Sequence, residues 1–417
     1  MTKPLRIFYA AGPGDVAGTY GHWKAGRDDP SQVSITYSAQ FYSLCKELGA
    51  QGYVLSYNER RQHIVDGPFT IEHRPARYLK QRGALYHVGQ FWAGIRMGIS
   101  ALRFGADLVV FSGGASWFSL GWLRWFGVKI VPTLHCVLWL KSEPMPRGIK
   151  NLVWKLNARF FRTSTAGVLS LSNDITHQLA ELTRSVQKPI ESFLPSYRRE
   201  SFAGLDTTLP PPPFRVFFAG RIERNKGVFN LLEIARRFAR EGRSDIEFDL
   251  CGDGSALPEL RKEAEEAGLQ SRFRCHGHQD KPRMREMYSQ THVVIVPTTT
   301  DFIEGFNKVV AEGILAGKPV ITSSVCPALE YVADGIVEVP PNDTQAYGTA
   351  IIRLHEDRSL YESKRRGCTA LQEQFYDPDR GWAAALKRML DRLFDESPTK
   401  SASRNFMAES LPGRRMP

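Results

Sequence analysis

The chain has 417 residues, which is too long for one hydrophobic core and predicts two or three domains, because single cores stop growing near about 250 to 300 residues. Hydrophobic residues make up 42% and charged residues 24%, so the composition is that of a globular protein and excludes disorder, collagen and coiled coil as descriptions of the whole. The formal net charge is +11, and it lies in the first half. Residues 1–200 carry 25 Lys and Arg against 13 Asp and Glu, whereas residues 201–417 are almost neutral.

Short apolar runs alternate with segments of helical periodicity along the whole chain. The runs predicted as strands are 5–11, 52–57, 107–113, 128–135, 166–172 and 189–196 in the first half, and 214–220, 246–252, 272–277, 292–298, 318–323 and 335–341 in the second. Segments between them, such as 228–241, 257–268 and 347–357, have the 3.6-residue period of a helix. Strands that alternate with helices predict an α/β fold with two doubly wound domains, each with a parallel sheet covered on both faces.

The boundary between these domains is expected at four consecutive prolines, residues 210–213, because a polyproline segment continues neither a helix nor a strand. We predict a first Rossmann-like domain over 1–197, a linker over 198–213 and a second Rossmann-like domain over 214–380. Apolar residues at helical spacing predict an amphipathic helix over 381–396. Residues 397–417 have no such pattern and are predicted to form a flexible tail.

The six cysteines are scattered, without the spacing of a zinc site or a disulfide framework, which favours a reducing cytosol. The first 30 residues lack a basic start followed by an apolar segment, so no export signal is expected. The longest uncharged run, residues 108–123, is interrupted by Gly and Ser and is shorter than the roughly 20 apolar residues that a membrane span requires. We therefore predict no transmembrane helix and a cytoplasmic location.

Gly220 and Arg221 end one predicted strand, and Lys226 and Gly227 precede the helix that follows. Free amides at a helix N-terminus together with two cations are suited to a phosphate or diphosphate. The alternative is a solvated turn with two surface cations.

A second candidate segment contains Glu304, Gly305, Asn307 and Lys308, with Glu312 eight residues after the first glutamate. A helix is predicted to begin near Asn307, which places Glu312 in its second turn, facing the same crevice. Carboxylates can accept hydrogen bonds from vicinal hydroxyls, as on a ribose or a hexose. The alternative is two surface glutamates on an ordinary helix.

In order and spacing, these two segments and the Gly-Asp-Gly turn at 252–254 resemble the donor domain of family-4 glycosyltransferases, over roughly residues 214–380. The resemblance implies a GT-B architecture, in which two Rossmann-like domains face each other across a cleft. It also implies that Arg221 and Lys226 hold the diphosphate of a nucleotide sugar, that Glu304 contacts the sugar and that Glu312 contacts the ribose. The donor-binding set that it implies is Gly14, Gly220, Gly305, Phe306, Asn307, Lys308 and Glu312.

The first domain matches this pattern less specifically. Gly14 lies in a glycine loop after the first strand, where the family has a loop that touches the donor phosphate or the acceptor, but any Rossmann-like domain needs tight turns there. His135 ends a predicted strand where family members often have a histidine near the sugar, and it could equally be a satisfied core residue. The resemblance thus implies a catalytic set of Arg221, Lys226, Glu304 and His135.

The reaction implied is a retaining, hexosyltransferase-type transfer of the sugar to an acceptor hydroxyl. Asp377 and Asp379 have the Asp-x-Asp spacing of a metal site, but they precede a helix and are predicted to form a capping turn. Because Arg221 and Lys226 are fixed cations, we predict metal-independent transfer, with no cofactor besides the nucleotide-sugar substrate. No close pair of carboxylates suits a double displacement, so we expect a front-face displacement.

The basic first half indicates an acidic partner. Lys155, Arg159 and Arg162 are predicted on one helix face, with Ile149, Leu152, Val153, Leu156 and Phe160 on the apolar side. We predict that this surface binds an anionic membrane or the acceptor, so that the enzyme extends a lipid-linked or surface-polysaccharide glycan at the inner membrane face. The alternatives are a solvated helix face, another GT-B enzyme such as a sugar-nucleotide epimerase or a phosphorylase, or a basic nucleic-acid-binding protein. The last class is disfavoured because no nucleic-acid-binding motif is present.

Overall fold

The structure, a computed structural model, describes residues 3–145, 150–186, 188–205 and 211–394. Fourteen strands lie in these ranges. They are β1 Arg6–Pro13, β2 Gln51–Tyr57, β3 Gln62–Asp66, β4 Phe69–Arg74, β5 Leu108–Phe111, β6 Lys129–Leu134, β7 Val168–Ser170, β8 Ile190–Ser192, β9 Phe214–Ala219, β10 Ile246–Cys251, β11 Phe273–Gly277, β12 Val293–Val296, β13 Val320–Thr322 and β14 Ile336–Glu338.

The described α-helices, which cover both sheets, also number fourteen. They are α1 Val16–Lys24, α2 Tyr37–Leu48, α3 Gly83–Phe104, α4 Lys150–Thr163, α5 Asn173–Thr183, α6 Val228–Arg240, α7 Leu257–Glu266, α8 Lys281–Gln290, α9 Lys308–Leu315, α10 Leu329–Val332, α11 Thr344–Glu356, α12 Arg358–Leu371, α13 Glu373–Tyr376 and α14 Trp382–Phe394. Short 3₁₀ segments connect several elements, and the longest of them is Trp117–Phe126. None of the helices in the described ranges combines the length and the apolar character that a membrane crossing requires.

The first sheet has eight strands in the order β3-β4-β2-β1-β5-β6-β7-β8. All neighbours pair in parallel except β3 and β4, which form an antiparallel hairpin at the sheet edge. This hairpin was missed in the sequence because residues 62–66 are mostly polar and exposed and lack the apolar run by which the other strands were recognised. Because the carboxyl ends of parallel strands share one edge, the segments after β1, β2, β4, β5 and β6 lie along one side of the domain.

The second sheet has six parallel strands in the order β11-β10-β9-β12-β13-β14. The strand order reverses beside β9, so the loops after β9 and β12 diverge there and leave a crevice at their carboxyl ends. The predicted α/β class with two largely parallel sheets is therefore confirmed. The domain boundaries themselves stay predictions, and residues 206–210 of the linker, together with the 397–417 tail, lie outside the described residues.

The last helix, α14, packs on the first sheet although the chain has by then completed the second. Trp382, at its first position, is fully buried, and its Nε1 donates a hydrogen bond to Oγ1 of Thr133 in β6 at 3.0 Å. The backbone amide of Ala383 donates to Oε1 of Gln40 in α2 at 3.1 Å. Just before the helix, Asp377 accepts a hydrogen bond from the amide of Asp379 at 2.9 Å, which is a capping arrangement. The chain end thus fastens one domain to the other.

We expect Trp382→Ala to lower the free energy of unfolding by about 3–5 kcal/mol, because it removes a fully buried indole and leaves a cavity. Chemical denaturation followed by far-UV circular dichroism measures this change. Trp125→Ala is the matched control, since the Trp125 side chain is 74% exposed and its removal is expected to change stability by less than about 0.5 kcal/mol. Equal effects of the two substitutions would contradict the anchoring role of Trp382.

Candidate active site

Three of the four residues predicted to be catalytic, Arg221, Lys226 and Glu304, line one cavity of about 280 Å³ at the carboxyl end of the second sheet, together with Gly220, Asn307 and Lys308 of the predicted donor-binding set. Cys136, which follows β6, lines the same cavity from the first domain. The cavity therefore lies between the two domains, where the sequence predicted the donor cleft.

Two glycines give the backbone its shape beneath Arg221. Gly220 and Gly252 have φ angles of +150° and +143°, and a Cβ on Gly252 would lie 1.7 Å from the carbonyl oxygen of Gly220. Only glycine fits such a close approach of two strand ends. At the start of α6, Gly227 has φ +75°, and a Cβ there would lie 2.1 Å from the carbonyl oxygen of Pro297. These glycines thus allow the turns that carry Arg221 and Lys226 to lie close to the ends of β10 and β12.

The Glu304 carboxylate is buried and fully engaged. Oε2 lies 2.5 Å from Nζ of Lys226, and it accepts hydrogen bonds from Nδ2 of Asn307 at 3.1 Å and from Oγ1 of Thr298 at 3.3 Å. Oε1 accepts from the backbone amide of Gly305 at 3.0 Å. A buried carboxylate needs this number of partners because desolvation otherwise penalises its charged form. Thr298 is a site residue that the sequence analysis missed, since its hydroxyl follows a strand without any motif around it.

Phe302 is a second residue whose role was not predicted. The Lys226 ammonium lies 3.8 Å from the centroid of its ring, and the Arg221 guanidinium lies 5.4 Å from the same centroid. Arg221 is exposed, and within the described residues its guanidinium has no hydrogen-bond or ion-pair partner. The ring therefore keeps two cations on one side of the cavity through cation–π attraction, with one of them free for an anionic ligand.

The loop that carries Glu304 touches the first domain directly. The backbone amide of Val137 donates to the carbonyl oxygen of Glu304 at 3.1 Å, and Oγ of Ser142 donates to the carbonyl oxygen of Thr300 at 3.2 Å. A Cβ on Gly305 would lie 2.3 Å from the carbonyl oxygen of His135. Glycine at 305 thus permits the two backbones to meet, which is a steric role in addition to the predicted donor-binding one.

His135 lies at this meeting point. Its ring stacks on Tyr37 with 4.5 Å between centroids, and Nε2 lies 3.4 Å from the hydroxyls of Thr133 and Ser112. Nδ1 is buried without a hydrogen-bond partner among the described residues. Burial, helped by the positive charge of Lys308, lowers the pKa of His135 to about 3. The imidazole is therefore neutral near pH 7 and is not a cation of the site.

Asn307, Lys308 and Phe306, which were also predicted to bind the donor, lie in three different environments. Asn307, at φ +62°, precedes α9, which begins at Lys308 as predicted. The Lys308 side chain lines the cavity and reaches the first domain, where Nζ donates to Oγ of Ser34 at 2.9 Å. Phe306 is buried against Tyr331 and Phe375, so its side chain belongs to the core and only its backbone can face a ligand.

Gly14 is not among the residues that line this cavity. Its amide donates to the carbonyl oxygen of Tyr57 at 3.3 Å, and its own carbonyl accepts from Oγ of Ser56 at 2.8 Å. The glycine loop after β1 is therefore held against the end of β2.

Glu312 differs most from its prediction. It lies in the second turn of α9, but it does not line the cavity that Glu304 lines. Its Oε2 accepts a hydrogen bond from the Tyr288 hydroxyl at 2.8 Å, and its Oε1 lies 3.5 Å from the hydroxyl of Tyr197. Burial raises the pKa of Glu312 to about 7. Periodicity placed the residue in the correct turn but could not reveal that two tyrosines from other elements close over it.

The membrane-facing prediction for α4 is also corrected in part. Lys155 and Arg159 are exposed and Arg162 is partly buried, but Leu152 and Leu156 are also exposed, at 63% and 36%. Leu152 and Leu156 were expected on the buried apolar side. The buried side is instead formed by Asn157, Ala158, Phe160 and Phe161, because the helix packs on the 3₁₀ segment Trp117–Phe126 and on α5. Ile149 lies outside the described residues.

The sequence of this chain is similar to those of known glycosyltransferases. The family model for "Glycosyl transferases group 1" matches residues 206–368. The match covers most of the second domain and part of the linker before it, which is less than half of the chain. Among curated relatives, alpha-D-kanosaminyltransferase of Streptomyces kanamyceticus is 26% identical over 64% of this chain and 71% of its own length. A D-inositol 3-phosphate glycosyltransferase of Xylanimonas cellulosilytica is 28% identical, over 44% of this chain and 42% of its own length.

Solved structures extend the likeness to both domains. Anabaena HepE in complex with UDP superposes with a TM-score of 0.64 at 14% identity, over 94% of this chain and 100% of that chain. Sucrose-phosphate synthase from Thermosynechococcus elongatus gives a TM-score of 0.65 at 18% identity, over the same shares. At such identities the likeness concerns the fold, and it confirms the predicted GT-B architecture.

The raised pKa of Glu312 predicts a pH-dependent stability. Between the ordinary glutamate pKa near 4.5 and the folded value of about 7, the folded state binds a proton that the unfolded state releases, so the free energy of unfolding falls as pH rises through this range. We expect Glu312→Gln, which cannot ionise, to be less destabilising at pH 8 than at pH 5, by up to about 3 kcal/mol. Urea denaturation at the two pH values measures this difference. Glu338→Gln, on an exposed strand residue, is the control, and the same pH effect in both variants would contradict the assignment.

Proposed function

We propose that this chain transfers a sugar from a nucleoside-diphosphate sugar to an acceptor hydroxyl. The observation that carries the proposal is the convergence of Arg221, Lys226 and Glu304 on one cavity that faces the first domain. Two cations and a carboxylate at a strand-end crevice suit a ligand with a negative diphosphate and a hydroxylated sugar. The likeness to sugar transferases supports the same activity.

In this proposal Arg221 and Lys226 bind the diphosphate, and Glu304 binds hydroxyl groups of the sugar. Lys226 is paired with Glu304 at 2.5 Å, so a diphosphate that arrives beside Lys226 competes with Glu304 for the ammonium. Glu304 is then available to accept hydrogen bonds from the sugar. Glu312 can bind the ribose only if its contacts with Tyr288 and Tyr197 are exchanged, so we propose that donor binding opens this buried cluster.

The chemical step that we propose is a front-face displacement with retention at the anomeric carbon. As the bond to the diphosphate breaks, the growing negative charge is stabilised by Arg221 and Lys226 without a metal ion. The acceptor hydroxyl attacks from the same face, and its proton passes to the leaving phosphate oxygen. His135 stays neutral because of its low pKa, so it contributes hydrogen bonding and shape beside the sugar.

Arg221→Gln tests the donor site most cleanly, because the guanidinium is exposed and unpaired within the described part of the chain. We expect a loss on the order of 10²-fold in turnover, as for removal of a preorganised donor to a developing anion. A thermal-shift screen of nucleotide sugars identifies the donor, and nucleotide release from that donor is then measured.

The control is Arg240→Gln, which removes an equally exposed guanidinium at the end of α6. If Arg221→Gln and Arg240→Gln both leave turnover unchanged, the assignment of the donor site to Arg221 is rejected. Lys226→Gln is a less clean variant, since it leaves the buried Glu304 charge without its main partner and is expected to destabilise the fold.

For the acceptor we propose a lipid-linked or surface-polysaccharide glycan at the cytoplasmic face of a membrane. Support comes from α4, where Lys155 and Arg159 share the exposed side with Leu152 and Leu156. On the neighbouring 3₁₀ segment Trp125 and Phe126 are also exposed, at 74% and 62%. Exposed apolar side chains surrounded by cations suit an anionic interface.

We expect Lys155→Gln combined with Arg159→Gln to weaken flotation with anionic vesicles roughly tenfold or more, because each cation near such a surface contributes about 1 kcal/mol. Vesicles of phosphatidylcholine with and without phosphatidylglycerol provide the comparison. The charge-matched control is Arg240→Gln combined with Arg353→Gln, two exposed residues of the second domain. If the parent protein floats equally with neutral and anionic vesicles, the acceptor is a soluble molecule.

A further inference from the structure

A large cavity lies outside the proposed donor cleft, within the first domain. It has a volume of about 1460 Å³ and lies between the β3–β4 hairpin, the segment after β4 and one face of α3. Tyr57 and Arg74, the last residues of β2 and β4, form part of its wall. Part of the cavity therefore lies at the carboxyl edge of the first sheet, where β6 also ends before His135.

The wall of this cavity is strongly cationic. Five arginines line it, and the carboxylate among the lining residues, Glu72, is already held bidentately by Arg74 at 2.9 and 2.7 Å. The other four, Arg61, Arg77, Arg96 and Arg103, have exposed guanidinium groups without a hydrogen-bond or ion-pair partner in the described ranges. The positive charges in this cavity repel each other. An anionic ligand would relieve that repulsion and would therefore be bound strongly there.

An apolar surface lies beside these cations. Along α3, Trp92, Arg96, Ile99 and Arg103 follow at intervals of four, three and four residues, so they share one helix face. Trp92 is 57% exposed and Ile99 is 38% exposed. Tyr78 also lines the cavity, and its hydroxyl donates to the carbonyl oxygen of Gly114. An aromatic wall with forked guanidinium donors is a combination that recognises a phosphoryl group attached to a sugar or an apolar chain.

We propose that this arginine-lined cavity binds a phosphoryl group of the acceptor, at a distance from the hydroxyl that is glycosylated. The proposal rests on the function proposed above. Between β4, whose end lines the cavity, and β6, which ends before His135, the sheet order has four strand spacings, or about 19 Å at about 4.8 Å each. The acceptor is thus an extended phosphorylated molecule that crosses the strand ends of β2, β1 and β5. A concave site with aromatic walls favours such a molecule over the flat surface of a membrane.

Binding of inorganic pyrophosphate, measured by isothermal titration calorimetry, tests the site. The parent protein is expected to bind pyrophosphate at two classes of site, one in this cavity and one at Arg221 and Lys226. Arg96→Gln combined with Arg103→Gln is expected to weaken one class at least about tenfold, because each lost guanidinium removes charge-assisted hydrogen bonds. Arg96→Lys combined with Arg103→Lys is expected to recover part of the loss, and circular dichroism checks the fold of both variants.

The charge-matched control is again Arg240→Gln combined with Arg353→Gln, which is expected to retain both classes. An isotherm of the Arg96 and Arg103 variant that matches the parent protein overturns the proposal. If this variant instead retains pyrophosphate binding but loses flotation with phosphatidylglycerol vesicles, the arginines serve a membrane surface and the proposal is equally overturned. Loss of pyrophosphate binding with unchanged flotation supports a soluble phosphoryl group, and loss of both supports a lipid-borne one.

The two proposals fail separately. If Arg221→Gln leaves nucleotide release unchanged, the donor site is rejected, while the calorimetric class that depends on Arg96 and Arg103 can still be present. If the calorimetric class that depends on Arg96 and Arg103 is absent, the result of the donor assay does not change. The donor site then stands, and the phosphoryl-binding acceptor site is rejected.

Discussion

The close approach of the Glu304 loop to the end of β6 is the constraint on which the cleft depends. The amide of Val137 donates to the carbonyl oxygen of Glu304, and Gly305 leaves room for the carbonyl of His135. Two domains with separate sheets meet there through backbone atoms, which side-chain rotation cannot displace. The position of the Glu304 carboxylate relative to the first domain is therefore set by the fold, together with the α14 anchor at Trp382.

The close approach of the two domains also determines how the charges of Glu304, Lys226 and Arg221 are balanced. Because the Glu304 carboxylate is buried, it needs the Lys226 ammonium as a partner, and the ammonium in turn lies on the Phe302 ring. The two charges offset each other, whereas Arg221 keeps its charge unpaired within the described residues. A site that is nearly neutral inside and cationic at its edge suits a ligand whose diphosphate enters from the side of Arg221. The buried Glu312, with its raised pKa, forms no ion pair within the described ranges, and its carboxyl group contacts the hydroxyls of Tyr288 and Tyr197.

The two domains divide the proposed chemistry between them. The second domain is almost neutral overall and concentrates its function in one small cleft. The first domain holds the excess positive charge, and the fold distributes it into an exposed face on α4 and a deep cavity beside α3. Both lie on helices that follow strands of the first sheet, apart from the cavity proposed to bind the donor.

Much of the fold could be predicted from the sequence, because buried parallel strands are continuous apolar runs and amphipathic helices have their own period. The same local signals located Arg221, Lys226, Glu304 and the start of α9, since glycine turns and strand ends are encoded within a few residues. The β3–β4 hairpin, the exposed side of α4 and the enclosure of Glu312 by Tyr197 and Tyr288 could not be predicted in this way. Each depends on which distant element packs against the segment, and such contacts join residues far apart in the chain. The sequence by itself thus determined most of the elements and placed Arg221 and Glu304 after strand ends, because these signals are local, whereas only the tertiary structure decided which side chains share a cavity.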